Sequence, residues 1–212
     1  MYKVMPLFAT PVLIDNYKCP DDIYQYFDTI ELFDQSSIDY GNKSKNTFIL
    51  NEEICKPLAS HILNVARSFL DEQLGHKFQD VQFTQSWVSH KNVGEYHQKH
   101  SHANSIISGV YYFQEGAESF PPIRFYKHNI NCGVYEILLP LQDDVSQKPF
   151  SWAHYTYTPV AGDIVMFPSY LQHSVEVNTT GSTRKSLAFN IIPTVEFGNL
   201  KGLTLLKFSD VK

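Results

Sequence analysis

The hydrophobic pattern of this chain changes period once, at Val81, and that change constrains the fold more than any other feature. Upstream, Ile54, Leu58, Ile62, Val65 and Phe69 recur at helical spacing and predict a helix over 52–74, ended by Gly75. Pro57 lies in its first turns and marks a second place where the helix can begin. An earlier helix is expected from Pro20-Asp21-Asp22 through about Phe33, since a first turn accepts proline and acids. From Val81 onward, Phe83, Gln85 and Trp87 alternate with Gln82, Thr84, Ser86 and Val88, and no helical pattern returns. Further strands are expected at 106–113, 123–126, 154–158, 163–167, 171–177 and 185–192. An opening strand at 7–14 should lie at a sheet edge, because Pro11 cannot donate to a ladder.

About eight short strands after a helical start predict a mainly β (α+β) jelly roll with N-terminal helices buttressing one sheet. The chain reads as one domain over 1–212. Residues 1–80 pack on a β core at 81–192, and 193–212 form a C-terminal extension. The long connection at 129–150 contains Asp143, Asp144 and Gln147 and is expected to be an exposed loop or a lid. An aromatic share of 14% suits a β-rich core. The net charge of -5 leaves no basic footprint for nucleic acid. Cys19, Cys55 and Cys132 are odd in number, lack a Cys-x-x-Cys spacing and read as reduced thiols. No apolar run is long enough to span a membrane, and the start Met-Tyr-Lys-Val-Met-Pro is no signal peptide. The expectation is a soluble, cytoplasmic protein acting on an unidentified small molecule or peptide.

The chemistry is carried by the histidines. His100 and His102 stand one residue apart beside the strand beginning near Ile106, so both can point toward one ion. Imidazole suits iron, zinc, copper and nickel, so the pair alone does not choose the metal. A third histidine, His173, follows on a second strand. An iron(II) oxygenase needs three ligands on one face, usually two histidines and a carboxylate. None of the nine histidines has Asp or Glu two places on, so the simplest triad is His100, His102 and His173. Three neutral imidazoles leave the cation's charge uncompensated and favour an anionic chelating co-substrate. Arg184 opens the next strand, and Ser186 shares its face. A guanidinium beside a hydroxyl can grip a carboxylate in two places. A ligand that chelates metal at one end and carries a carboxylate at the other is 2-oxoglutarate.

His-x-His followed by Ser-Gly-Val-Tyr-Tyr-Phe, then Pro-x-x-Gly-Asp-x-x-x-Phe-Pro-Ser-x-x-x-His, then Arg-x-Ser-x-Ala-Phe-Asn resembles a microbial and phage branch of the iron(II)/2-oxoglutarate-dependent dioxygenases, itself similar to prolyl-hydroxylase-like oxygenases. The resemblance covers residues 87–192. It implies a double-stranded β-helix, His100 and His173 as iron ligands, and Arg184 on the distal carboxylate of 2-oxoglutarate. Tyr96 matches a tyrosine that often binds this co-substrate too. His102 stands where the wider superfamily has Asp, and the branch commonly has His there. The implied reaction hydroxylates a substrate while 2-oxoglutarate is decarboxylated to succinate.

Two alternatives stay open. Gly94, five residues and His-x-His also fit a three-histidine cupin dioxygenase, which would need neither 2-oxoglutarate nor Arg184 with Ser186. A non-catalytic β-helix could bind a ligand or a structural zinc, but zinc would want a fourth ligand. Trp87, Tyr111, Phe125 and Phe167 are candidates for the cavity wall, as for any β core. In a regular strand His97 faces away from His100. His90, His128 and His154 read as structural groups near strand ends, and Asp163 as a turn residue.

Overall fold

The computed structural model describes residues 9–33, 41–76, 78, 80–113, 120–127, 152–194 and 196–207. The connection expected at 129–150, with Cys132 and His128, lies outside them.

The N-terminal part forms strand β1 (Leu13–Asn16), helix α1 (Asp21–Thr29), the short strand β2 (Asn42–Lys43) and helix α2 (Lys56–Ser68). β1 occupies the edge of a sheet as expected, but it runs over Leu13–Asn16 rather than 7–14, so Pro11 lies outside its ladder. In α1, Asp21 and Asp22 occupy the first turn, and the Asp22 carboxylate accepts from the Ile23 amide at 2.9 Å. The helix stops at Thr29, four residues before the expected end. Beyond it the backbone is claimed by another strand segment: the Phe33 amide donates to Lys43 O at 2.7 Å, and Lys45 N to Glu31 O at 2.9 Å. α2 carries Pro57 in its first turn and buries Leu58, Ala59, Ile62 and Ala66. A wider turn at Phe69–Gln73 continues it and buries Phe69 and Leu70. Gly75 ends it at φ +65°, a left-handed conformation that costs glycine little.

The β core comprises β3 (Val81–Lys91), β4 (His97–His100), β5 (Ile107–Tyr111), β6 (Ile123–Tyr126), β7 (His154–Tyr157), β8 (Asp163–Pro168), β9 (His173–Val175) and β10 (Arg184–Pro193). The extension adds the pair β11 (Glu196–Phe197) and β12 (Leu206–Lys207). Among the described residues every strand pairing is antiparallel, which gives a six-stranded sheet, β1-β8-β5-β10-β3-β2, facing a four-stranded one, β4-β9-β6-β7. This is the predicted jelly roll, with both flanking strands of the larger sheet supplied by the N-terminal part.

Period two sorts the larger sheet's residues into two cores. Tyr111, Ile164, Met166, Leu187 and Phe189 meet Ile23, Phe27, Leu58 and Ile62 of the helices. Tyr112, Val165 and Phe167 face the other way and meet Ile123 and Phe125 of the smaller sheet. All six β8 residues are buried because both faces are covered. Each fully buried large apolar side chain contributes roughly 1.5–3 kcal/mol, so the helical layer holds the larger sheet in place. Gly109 of β5 is required by close approach: a Cβ there would lie 2.3 Å from the Phe189 ring.

Candidate metal and co-substrate site

The smaller sheet brings two of the predicted histidines together directly. His100 closes β4, His173 opens β9, and the two are paired in register. His102 follows β4, its amide donating to Ser169 O at 2.9 Å. Ring centroids stand 4.3 Å apart for His100 and His173, and 5.2 Å for His102 with either. One nitrogen from each ring falls within 4.8 Å of the other two.

Hydrogen bonds decide which nitrogen each ring offers. His100 Nδ1 meets Gln98 O at 2.8 Å, and His173 Nδ1 meets Leu171 O at 3.0 Å. A carbonyl only accepts, so each Nδ1 carries the proton and each Nε2 keeps its lone pair. Behind His102 lies a chain of buried polar groups. Ser105 Oγ donates to Ser169 Oγ at 2.9 Å, and Ser108 Oγ shares 2.9 Å with Ser169 Oγ and donates to Asn190 Oδ1 at 2.8 Å. The Asn190 side chain in turn acts on the His102 imidazole, favouring its protonated form. Burial lowers the proton affinity of all three imidazoles, to about 3 at His173 and about 4 at His102. The neighbouring imidazoles add to the effect at His102 and His173. At neutral pH the rings are therefore uncharged, the form that binds metal.

A bulge in β4 corrects one expectation. His97 pairs with Val175 and His100 with His173, so three steps on β4 match two on β9. Hence His97 does not face away from His100; it stacks on it at 4.0 Å, in the same cavity. The bulge acts oppositely on Tyr96. With Gln98, Lys99 and Tyr126, Tyr96 lines an adjoining hollow that shares His97 and Val175 with the histidine cavity, and Tyr96 does not line the cavity itself.

The larger sheet supplies the other wall. Arg184 and Ser186 of β10 are 4% and 1% exposed, pair with Lys91 and Ser89 of β3, and line the same cavity as the histidines. The Arg184 guanidinium lies 5.1 Å from the centre of the Tyr112 ring. Arg184 Nε and the Tyr112 hydroxyl are both buried without a hydrogen-bond partner among the described residues. A buried guanidinium with an unpaired Nε beside a hydroxyl fits an incoming carboxylate. Trp87 and Phe167 also line the cavity, whereas Tyr111 faces the helices and bonds Tyr24 Oη at 2.9 Å. Phe125 packs on Phe167 at 5.0 Å without reaching the wall. His90 and His154 are not part of the wall either.

Sequence reasoning missed two charged wall residues, Lys43 and Lys91. Lys91 is 1% exposed, and its ammonium is pushed down to about 8 by burial and then by Arg184. Lys43 of β2 lies 5.9 Å from the centre of the Trp87 ring, and burial lowers its proton affinity too. Lys91 could have been suspected from its place two residues after Ser89 on the strand's inner face. Nothing local marks Lys43.

The sequence profile of the 2OG-Fe(II) oxygenases matches residues 85–190, half of the chain. No curated protein sequence matches. Among solved structures, a Pseudomonas putida prolyl-4-hydroxylase is similar in fold at 18% identity, with 85% of this chain and 92% of that chain covered and a TM-score of 0.55. The α-ketoglutarate-dependent epimerase SnoN from nogalamycin biosynthesis aligns at 14% identity, over 90% of this chain and 82% of its own, with a TM-score of 0.58. HygX from Streptomyces hygroscopicus, solved with nickel, 2-oxoglutarate and hygromycin B bound, aligns at 10% identity over 87% and 84%, with a TM-score of 0.55.

Proposed function

Since the chain belongs to the 2OG-Fe(II) oxygenase family, we propose that it is a hydroxylase-type member acting on a small-molecule or peptide substrate. In this reading His100, His102 and His173 hold the iron(II), and Arg184 with Ser186 holds the distal carboxylate of 2-oxoglutarate. When bound, iron(II) and 2-oxoglutarate would supply the activation of dioxygen, coupled to decarboxylation of 2-oxoglutarate to succinate. The chain's own residues do the rest. Nδ1-to-carbonyl bonds fix the His100 and His173 rings before metal arrives, so little orientation is left to be lost. Burial keeps the imidazoles neutral, so no ligand has to surrender a proton near pH 7. Arg184 anchors the co-substrate from the opposite sheet, while Val110, Ile123, Phe167 and Val175 give the cavity apolar walls that exclude water.

The observation that carries this reading is the meeting, in one cavity, of three convergent imidazoles and a buried arginine with an unsatisfied Nε. The cupin alternative has no use for that arginine. A reducing, cytoplasmic location is part of the same proposal, supported by the free, buried thiols of Cys19 and Cys55. Among the described residues no helix is long and apolar enough to cross a membrane.

The test is anaerobic titration of iron(II) into the protein, with and without 2-oxoglutarate, followed by visible absorbance. Wild type should bind one iron and develop a charge-transfer band only when 2-oxoglutarate is present. His173→Ala should bind neither while keeping its far-ultraviolet circular dichroism. Stoichiometric iron in a folded His100→Ala/His173→Ala protein would reject the assignment.

A further inference from the structure

Two of the three imidazoles take their orientation from their own strands. His100 and His173 each meet the carbonyl two residues earlier, at 2.8 and 3.0 Å. His102 is placed differently. It lies beyond the last residue of β4, and its amide is tied to Ser169 O in the turn before β9. Its ring stacks on Trp87 of the larger sheet, with centroids 6.2 Å apart and planes 22° from parallel. The opposite sheet therefore governs how this imidazole is turned.

Asn190 is the residue that meets it there. Arg184, Ser186 and Ala188 of β10 line the cavity, and Asn190 continues the same face of that strand. Register sets Ala188 opposite Trp87 and Asn190 opposite Gln85, so Asn190 is the diagonal neighbour of the ring on which His102 stacks. The ladder is irregular at this point. Ile191 pairs with Phe83, which leaves Thr84 as an extra residue on β3, and its hydroxyl donates to Asn190 O at 3.5 Å. Such bulges re-aim side chains beside functional sites. The amide of Asn190 is also locked. Ser108, its partner on β5, donates to Asn190 Oδ1 at 2.8 Å and shares 2.9 Å with Ser169 Oγ. Asn190, Ser108 and Ser169 are all buried, where apolar side chains would pack without needing partners. Ser169 also holds the His102 amide, so the chain Ser169–Ser108–Asn190 starts at the backbone of His102 and returns to its ring. An oxygen facing a ring nitrogen favours its N–H and an amide NH₂ opposes it. Asn190 favours the protonated form, so Oδ1 faces the ring.

We propose that Asn190 is a positioning residue for the metal site: its Oδ1 accepts the N–H of one His102 ring nitrogen and so turns the other, with its lone pair, toward His100 and His173. The proposal rests on the metal reading above and deepens it, since it gives the reason that His102 serves as the third ligand. Without Asn190 the His102 ring loses both its fixed tautomer and its fixed rotation. The turn at 168–171 then serves two ligands at once. Leu171 O orients His173, and Ser169 anchors the chain that orients His102.

The test is calorimetric titration of nickel(II) into the untagged full chain, without 2-oxoglutarate. Nickel(II) binds imidazole more tightly than iron(II) does, which keeps weakened variants within range. Asn190→Ala should lose about tenfold or more in affinity, the usual cost of removing a group that orients a ligand. In a His102→Ala background the same change should cost less than about twofold, because the ring it orients is gone. Asn190→Asp keeps an acceptor and has no N–H, so it should recover most of the loss, and that recovery should also vanish in His102→Ala. Ser108→Ala leaves Asn190 in place but releases its amide, and should cost part of the affinity while His102 is present. It carries the test if circular dichroism shows Asn190→Ala to be unfolded. Unchanged affinity in folded Asn190→Ala, a loss of the same size in the His102→Ala background, or Asn190→Asp as weak as Asn190→Ala would each overturn the proposal. Failure of wild type to bind nickel, or binding that survives in His100→Ala/His173→Ala, is a separate result. It removes the underlying metal reading, and this proposal with it.

Discussion

Replacing Arg184 with Ala should remove the main grip on 2-oxoglutarate without touching iron. Arg184 is 4% exposed, and its Nε has no partner among the described residues, so a carboxylate meeting it would face a desolvated cation. Hydrogen bonds to charged groups are worth roughly 1.5–3 kcal/mol each. A two-pronged contact would be worth about 3–6 kcal/mol, or two to four decades of affinity at 1.4 kcal/mol per decade. Lys91 reduces that figure. It pairs in register with Arg184, and Arg184 is the second cause, after burial, that lowers its proton affinity to about 8. Without Arg184, Lys91 holds its proton more firmly and can retain part of the carboxylate's attraction. The expected loss is therefore nearer one or two decades. The same reasoning gives a pH signature. In wild type, 2-oxoglutarate binding should weaken as pH rises through about 8, because Lys91 then becomes neutral. In Arg184→Ala that break should move to higher pH. The assay is anaerobic 2-oxoglutarate titration of the iron(II) protein from pH 6.5 to 9.5, with circular dichroism checking the fold. Arg184→Lys keeps the charge but loses the fork, and should recover only part of the affinity. Equal affinities in wild type and Arg184→Ala would refute the carboxylate role of Arg184, and an unmoved break would refute its coupling to Lys91.

Two further outcomes follow from the packing and from the buried histidines. Gly109→Ala would drive a methyl to 2.3 and 2.5 Å from two atoms of the Phe189 ring. It should cost about 1–3 kcal/mol, lowering Tm by several degrees, and Gly109→Ala/Phe189→Leu should recover much of that; thermal melts as stable as the parent would contradict the close approach. Burial depresses the folded-state proton affinity of His173 to about 3, so between the ordinary value of 6.5 and about 3 only the unfolded chain takes up its proton. Metal-free protein should therefore lose stability as pH falls through that window, by at most about 1.4 kcal/mol per pH unit for this one residue. Urea melts at pH 7, 6 and 5 measure it, and a flat profile, or one matching His173→Ala, would show that the imidazole is not buried neutral.

The sequence by itself determined the features whose cause is local. A period of two after Val81 requires strands, and the antiparallel sheets follow it closely, with Ile123–Tyr126 observed as expected. Gly75 stops α2 by its own backbone freedom. His100, His102, His173, Arg184 and Ser186 were legible because each lies on or beside a strand whose face alternation can be counted. What the tertiary structure alone decided depends on which strand lies alongside. The bulge in β4 arises from its pairing with β9, and it turns His97 inward and Tyr96 outward, reversing what a regular strand predicts. α1 ends at Thr29 because the backbone at 31–33 bonds to residues 43–45, a competition that no helix propensity records. The pairing of β2 with β3 carries Lys43 to the edge of a cavity built from residues far downstream. Hydrogen-bond partners distant in sequence fix those positions, so a local pattern could announce the histidines but not the lysine placed beside them.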